Sequence, residues 1–411
     1  MNADHNAAVT SPPGYQTRLI ILLTLSFGFV FLDRNAFSFL APFIAPDLNL
    51  SNSQIGDITS ALSFTWAIAG YLISRVSDST GRRKPFLLAA FLLFSLTSVV
   101  SGLAQGFMML LAVRLVMGFA EGPILPISQS LVVAETTASN RGNAMGIMQN
   151  FGSNFIGSFV APLLLIWIAQ TWSWRIAFYV AAVPGLIMAT LLWRMVREPP
   201  SAPPVAAGES AGSMGPLQML SNRNILLCVL ICCVMVAWMV LGWAFLPLYY
   251  TKVRQLPATE MSWLMSVLGL SAAAFAFVVP RLSDRFGRRP VIVLFCLIGA
   301  LVPVSALYFQ GSSLVLAVLI FLGWSASGAM PLIMATIPSE TLPLRYIASA
   351  TGLVVGLGEV IGGVSAPMLA GRAADHYGLQ APLYIQAGCA VVAGLIALAL
   401  KETAPVRLRG N

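Results

Sequence analysis

Fifty consecutive residues, 290–339, contain no Asp, Glu, Lys or Arg. Soluble domains are roughly a quarter charged, so an uncharged stretch of this length belongs in lipid. About 20 apolar residues span a bilayer, and this stretch therefore holds two spans. Phe309-Gln310-Gly311-Ser312-Ser313 is the one place where a turn fits between them. The rest of the chain has the same character: 58% of residues are hydrophobic, 9% are charged, and the mean hydropathy is +0.83. The apolar runs are long and continuous. Alternating ten-residue strands, the signature of a membrane barrel, are absent, and the fold class is an all-α polytopic membrane protein.

Counting spans of this length predicts twelve helices, near 18–45, 54–76, 85–105, 107–134, 142–170, 174–195, 224–251, 260–281, 290–309, 312–337, 346–371 and 379–400. Residues 197–222 interrupt them with five prolines and several Gly and Ser, the composition of an extended linker. The expected organisation is a polar tail (1–17), a six-helix bundle (18–196), the linker (197–222), a second six-helix bundle (223–401) and a short tail (402–411). Residues 1–17 have no basic segment or small-residue cleavage site, so no signal peptide is expected and the first span serves as its own insertion signal. The net charge of +8 is not read as a nucleic-acid footprint. Lys and Arg gather on cytoplasmic loops of membrane proteins, and here they crowd the turn after the second span (Arg75, Arg82, Arg83, Lys84) and after the eighth (Arg281, Arg285, Arg288, Arg289). Both termini and the linker are therefore expected in the cytoplasm, with the chain multi-pass in the inner membrane. The five cysteines lie in apolar runs without disulfide or metal-ligand spacing, and no metal or cofactor is expected.

The halves are related. Asp78, Gly81, Arg82 and Arg83 recur as Asp284, Gly287, Arg288 and Arg289, shifted by 206 positions, and Gly146, Gly152 and Gly157 recur as Gly352, Gly358 and Gly363 with the same shift. Two six-helix repeats of the same membrane orientation place a substrate site at their interface, near the midplane.

Against this background the intramembrane charges are the candidate functional residues. On insertion scales each charge costs roughly 2.5–3.5 kcal/mol at the bilayer centre, which makes each a functional candidate. Asp33 and Arg34 sit inside the first span, Arg114 and Glu121 in the fourth, and Glu359 among glycines in the eleventh. At 1.5 Å per residue, Asp33 lies roughly 21 Å from the inner edge of a core about 30 Å thick, and Arg114 roughly 10 Å from its outer edge. The depths agree, which predicts an Asp33–Arg114 ion pair across the first and fourth spans. Glu121 lies deeper and is the better candidate to hold a proton at neutral pH. A permanent buried network joining the two helices is the structural alternative. Glu359 is a third protonation site or a hydrogen-bonding residue on the face of the second half, or, as the structural alternative, the cap of a glycine kink. Asn35, Phe37, Trp66, Gln149, Asn150, Trp243 and Trp324 lie at cavity depth; Trp66, Gln149 and Asn35 are kept as substrate-binding candidates.

The loop sequences Asp78-Ser79-Thr80-Gly81-Arg82-Arg83 and Asp284-Arg285-Phe286-Gly287-Arg288-Arg289 resemble the signature of the major facilitator superfamily, with Ser74 and Pro280 in place of its leading glycine. Such a loop can act as a latch, its Asp and Arg residues binding helix ends of the opposite half in one conformation and releasing them in the other. Asp33-Arg34 together with Arg114-x6-Glu121 resembles the anion:cation symporter branch, which includes proton-coupled sugar-acid importers and the sialin and vesicular glutamate carriers. That resemblance implies proton uptake on Asp33 and Glu121 and anion binding by Arg34 and Arg114. A similar pairing occurs in Spinster-type lysolipid transporters. No Gly-x4-Gly-Lys-Ser/Thr loop, His-Glu-x-x-His motif or Gly-x-Ser-x-Gly elbow is present, so neither ATP hydrolysis nor another enzymatic activity is expected. The expected function is proton-coupled uptake of a small organic anion by alternating access, with the protein acting as a monomer. The alternatives are a carrier of an anionic lysolipid or sphingolipid, and a membrane sensor that binds ligand without moving it.

Overall fold

A computed structural model of the chain describes residues 14–137, 140, 144–198, 215–343 and 346–408. Most of the expected N-terminal tail and of the linker, at 1–13 and 199–214, lies outside them. Eleven helices among the described residues are long and apolar enough to cross a membrane: α1 (Tyr15–Asp47), α3 (Lys84–Gly102), α4 (Phe107–Glu135), α5 (Ala144–Thr171), α6 (Trp174–Met195), α7 (Arg223–Val253), α8 (Ala258–Phe286), α9 (Arg288–Tyr308), α10 (Ser313–Thr341), α11 (Ser349–Tyr377) and α12 (Gln380–Ala397). The more polar α2 (Asn52–Thr80) completes the twelve. The uncharged stretch turns between Tyr308 and Ser313, as expected.

Local chemistry sets the helix ends. Ser51 caps α2 by accepting from the Gln54 N–H at 3.1 Å, while Gln54 Oε1 accepts from the Ser51 N–H at 3.0 Å, a reciprocal capping box. α2 and α8 end at Gly81 and Gly287, whose φ values of +66° and +101° need a residue without Cβ.

The repeat is visible in the packing. α1 lies on α5, α2 on α4 and α3 on α6; in the second half α7 lies on α11, α8 on α10 and α9 on α12. Lipid offers no hydrophobic drive between helices, so close backbone approach through small residues holds such pairs. A Cβ on Gly152 of α5 would stand 2.2 Å from the Thr24 carbonyl oxygen of α1, and one on Gly362 of α11 would stand 2.2 Å from the Cys233 carbonyl oxygen of α7.

The halves meet along α2–α11, α5–α8 and α1–α7. Their contacts run from the middle of the bundle to the end that holds Ser51. There Asp375 accepts from the N–H groups of Asn52 and Ser53, both at 2.9 Å, and from the Ser53 hydroxyl. Arg372 pairs with Asp57 at 3.6 Å. Nearer the middle Ser60 donates to the Val364 carbonyl at 2.6 Å and Ser262 to that of Pro162 at 3.3 Å. At the opposite end, which holds Asp78 and Arg288, no hydrogen bond or ion pair joins the halves among the described residues. Among the described residues, the polar contacts between the halves lie at the Ser51 end and towards the middle of the bundle.

Candidate functional site

The site grows from the packing of α4 on α2. A Cβ on Gly118 would stand 2.2 Å from the Leu62 carbonyl oxygen, and one on Gly122 would stand 2.5 Å from that of Trp66. Helices this close bring Glu121 of α4 and Trp66 of α2 alongside Arg34 of α1. Asp33, Arg114 and Glu121 are 0%, 1% and 1% exposed; Arg34, Trp66 and Glu359 are half-buried.

Asp33 Oδ1 accepts from the Ser98 hydroxyl of α3 at 2.5 Å, and Asp33 Oδ2 has no partner. Arg114 donates to the Arg34 carbonyl at 3.2 Å and contacts Met117 Sδ at 3.4 Å. Its guanidinium lies 5.1 Å from the Phe37 ring centre and 5.8 Å from that of Phe178, distances at which a cation is attracted to the π faces. Arg114 Nε and one terminal nitrogen have no partner, and neither has either oxygen of Glu121. Arg34 lies 5.0 Å from the Trp66 ring centre and 5.6 Å from that of Phe31.

The structure corrects one expectation. Asp33 and Arg114 lie near enough to act on each other electrostatically, but they form no ion pair within 4.0 Å. Depth arithmetic fixes height along a helix and says nothing of the direction a side chain takes around it. Ser98 holds one oxygen of Asp33, while two aromatic faces and a backbone carbonyl hold Arg114. Ser98 and Phe178 are contributors that the sequence does not reveal: Ser98 is one of several hydroxyl residues in α3, and Phe178 is one apolar residue among many in α6.

The other candidates divide. Asn35 donates to the Gly157 carbonyl at 3.1 Å, tying α1 to α5. Gln149 accepts from Gln129 of α4 at 3.5 Å. Trp243 and Trp324 pack on each other with ring centres 4.9 Å apart, and Trp324 is fully buried, so Trp324 is core. Glu359 opens a π-helical stretch, Glu359–Ser365, in α11. One of its oxygens lies 2.9 Å from where a Gly363 Cβ would sit, and the Ser63 Cβ of α2 lies 3.7 Å from that same point. Glu359 makes no hydrogen bond among the described residues, and it faces the seam between the halves.

The loop motifs pair within their own halves. Arg83 binds Asp78, and Glu198, just beyond α6, accepts from the backbone N–H groups of Arg83 and Lys84. Arg288 binds Asp284 at 2.5 Å and Glu340 at 2.8 Å, and Glu402 accepts from the N–H groups of Arg288 at 2.7 Å and Arg289 at 3.1 Å. The shift of 206 aligns Arg82 with Arg288, whereas the structure gives the role of Arg288 to Arg83. Arg82 and Arg289 keep exposed side chains.

Buried polar groups are nearly always hydrogen-bonded, and breaking up a buried ion pair costs several kcal/mol because it strands a charge. Asp33, Arg114 and Glu121 thus each keep a buried polar atom without a hydrogen-bond partner among the described residues. Protons can neutralise the acids, and an anion can satisfy the guanidinium groups.

Comparison with known proteins agrees with this reading of the fold. The family model described as Major Facilitator Superfamily matches residues 23–353 and 227–411. The chain is 31% identical over 295 residues to the hexuronate transporter of Bacillus subtilis (strain 168), covering 67% of this chain and 68% of the relative. It is 28% identical over 353 residues to the probable 4-methylmuconolactone transporter of Cupriavidus pinatubonensis (strain JMP 134 / LMG 1197), covering 84% and 81%. A crystal structure of a bacterial homolog of the human lysosomal transporter Spinster, inward-facing and occupied, superposes with a TM-score of 0.79 at 18% identity, covering 95% and 97%. The chain belongs to the Major Facilitator Superfamily and is a multi-pass membrane transporter rather than an enzyme.

Proposed function

We propose that this chain is a proton-coupled symporter that takes up a small organic acid by alternating access, acting as a monomer in the inner membrane. The observation that carries the reading is the pocket of stranded charges. Among the described residues, Glu121 is buried with neither oxygen partnered, Asp33 has one free oxygen, and the half-buried Arg34 makes no ion pair. Protons go to Asp33 and Glu121, and the substrate carboxylate goes to Arg34. The planar fork of Arg34 can hold a carboxylate by two hydrogen bonds, and Trp66 orients it. Arg114, buried between Phe37 and Phe178, joins the substrate shell when the pocket rearranges. Glu359 faces this site from the second half. Asn35 and Gln149 orient the surrounding helices α1, α4 and α5.

The basic turns put the Asp78 end in the cytoplasm. The closed Ser51 end then faces outward, and the described conformation is inward-facing. In this state the motifs Asp78, Gly81, Arg82, Arg83 and Asp284, Gly287, Arg288, Arg289 are unlatched: Arg83 and Arg288 pair inside their own halves, and the Arg82 and Arg289 side chains are exposed. Outward opening of the Ser51 end would bring these loops against the opposite half. The names of the relatives, a hexuronate and a 4-methylmuconolactone transporter, point to an organic acid as cargo.

The test is uptake into proteoliposomes under an imposed inward proton gradient, with a panel of sugar acids and aromatic and aliphatic carboxylates. Gradient-driven accumulation of at least one acid is expected. Binding without uptake of any acid would make the protein a sensor, and transport of a lysolipid in place of the acids would move it to the Spinster-like reading.

A further inference from the structure

A second charged cavity lies away from the transport pocket, where the start of α1 meets the end of α6. It encloses about 270 Å³ and is lined by Tyr15, Arg18, Arg194 and Arg197, with Leu19 and Leu22 forming its apolar floor. Arg197 donates its backbone N–H to Tyr15 Oη at 2.9 Å and lies with its guanidinium 5.7 Å from the Tyr15 ring centre. This tethers the chain beyond α6 to the first turn of α1 and gives the cavity a fixed wall.

None of the three arginines makes an ion pair among the described residues. Glu198, next in sequence to Arg197, turns its carboxylate to the Arg83 and Lys84 N–H groups. Glu135 lies near enough to Tyr15 to act on it electrostatically but contributes no atom to the cavity lining. Three arginines without an ion pair among the described residues therefore line one small cavity.

The position explains what such a cavity can hold. α1 and α6 are membrane-spanning, so their shared end lies at headgroup level. Trp193, 61% exposed on α6 just before Arg194, sits where interfacial tryptophans collect. Basic pockets between transmembrane helices on the cytoplasmic side suit lipid phosphates. Arginine forks match the tetrahedral oxygens of a phosphate, and Leu19 and Leu22 suit the first carbons of a glycerol backbone or acyl chain.

We propose that this cavity is a binding site for the phosphate of an anionic headgroup, contacted by Arg18, Arg194 and Arg197 and oriented by Tyr15. The site is separate from the transport pocket and does not depend on the identity of the cargo. One consequence is mechanical: α1 carries Asp33 and Arg34, so an occupant bridging α1 to α6 braces the helix on which the transport charges sit.

The experiment follows the thermal stability of the full-length protein in detergent as dioctanoyl phosphatidylglycerol, dioctanoyl phosphatidylcholine or inorganic phosphate is added. A saturable rise with phosphatidylglycerol and none with phosphatidylcholine is expected. The half-saturating concentration should rise at least ten-fold in the Arg18→Gln/Arg197→Gln double variant and in Arg194→Gln alone. Arg194→Lys keeps the charge and should retain most of the response; like the Gln variants it lies at an exposed position, and size exclusion checks its folding. Saturation by inorganic phosphate at the same concentration would support the site and assign it to a soluble phosphate; saturation by phosphatidylglycerol alone assigns it to the lipid. Equal responses to the two lipids, no saturable response, or an undiminished response in both Gln variants overturns the proposal.

Discussion

Ser98 on α3 holds one oxygen of Asp33 on α1 at 2.5 Å and leaves the other without a partner. A hydroxyl can donate to a carboxylate and can also accept from a carboxylic acid, so this contact survives both protonation states of Asp33. The geometry suits a residue that gains and loses a proton without the helices parting. Around it, Arg114 is immobilised by Phe37 and Phe178, and Arg34 is the more accessible cation.

Removing the titrating acids separates coupling from binding. Asp33→Asn and Glu121→Gln should each abolish gradient-driven accumulation in proteoliposomes while leaving counterflow exchange measurable, because the amides keep the shape of the side chains and cannot carry the proton. Accumulation that persisted in both variants would falsify the assignment of these two residues as coupling sites.

The Ser98 contact has its own signature. A hydrogen bond to a charged group contributes about 1.5–3 kcal/mol, so Ser98→Ala should lower the thermal unfolding midpoint of the purified protein. Asp33→Asn, which keeps a partner for the hydroxyl, should lower it less. The order of the two midpoints, read in the same detergent, decides the matter.

Arg34 and Trp66 act as a unit. Arg34→Lys keeps the charge but loses the planar fork and the π-stacked orientation, and Trp66→Ala removes the surface on which the guanidinium rests. Cation–π contacts run from about 0.5 to 2 kcal/mol, so each change should weaken binding of a transported acid by roughly two-fold to thirty-fold, measured by calorimetric titration. Wild-type affinity in both variants would remove Arg34 from the binding site.

The closed end is open to covalent test. Ser53 and Asp375 touch across the halves, so Ser53→Cys/Asp375→Cys should form a disulfide under mild oxidation, arrest uptake, and recover on reduction. The native cysteines are buried, apart from the half-buried Cys389, which keeps the background low. A cross-linked protein that still transported at full rate would show that this end does not open during the cycle.

Much of this arrangement was legible in the chain. The turn at Phe309–Ser313, the twelve spans and the repeat at 206 positions follow from hydropathy and spacing, because in lipid every backbone polar group must be satisfied within a helix and few alternatives exist. The intramembrane charges announced themselves by their cost. The partners of those charges were not legible. Ser98 and Phe178 come from helices far from α1 in sequence, and whether they reach Asp33 and Arg114 depends on helix rotation, which small differences in packing decide. The exchange of Arg82 for Arg83 in the loop motif has the same origin, since the αL turn at Gly81 redirects the side chains that follow it. The phosphate cavity needed residues from the start of α1 and from beyond the end of α6, and no spacing joins them.

The sequence by itself determined that this protein lives in a membrane, that it has two related halves, and that a few acids and arginines lie where charge is expensive. Only the tertiary structure decided which of those charges meet, which are left stranded, and which end of the cleft is shut. The division has a physical reason: hydrophobic length and charge cost are summed along the chain, whereas a buried hydrogen bond, a cation–π contact or a closed seam depends on distances of a few ångströms between helices that the chain separates by tens to hundreds of residues.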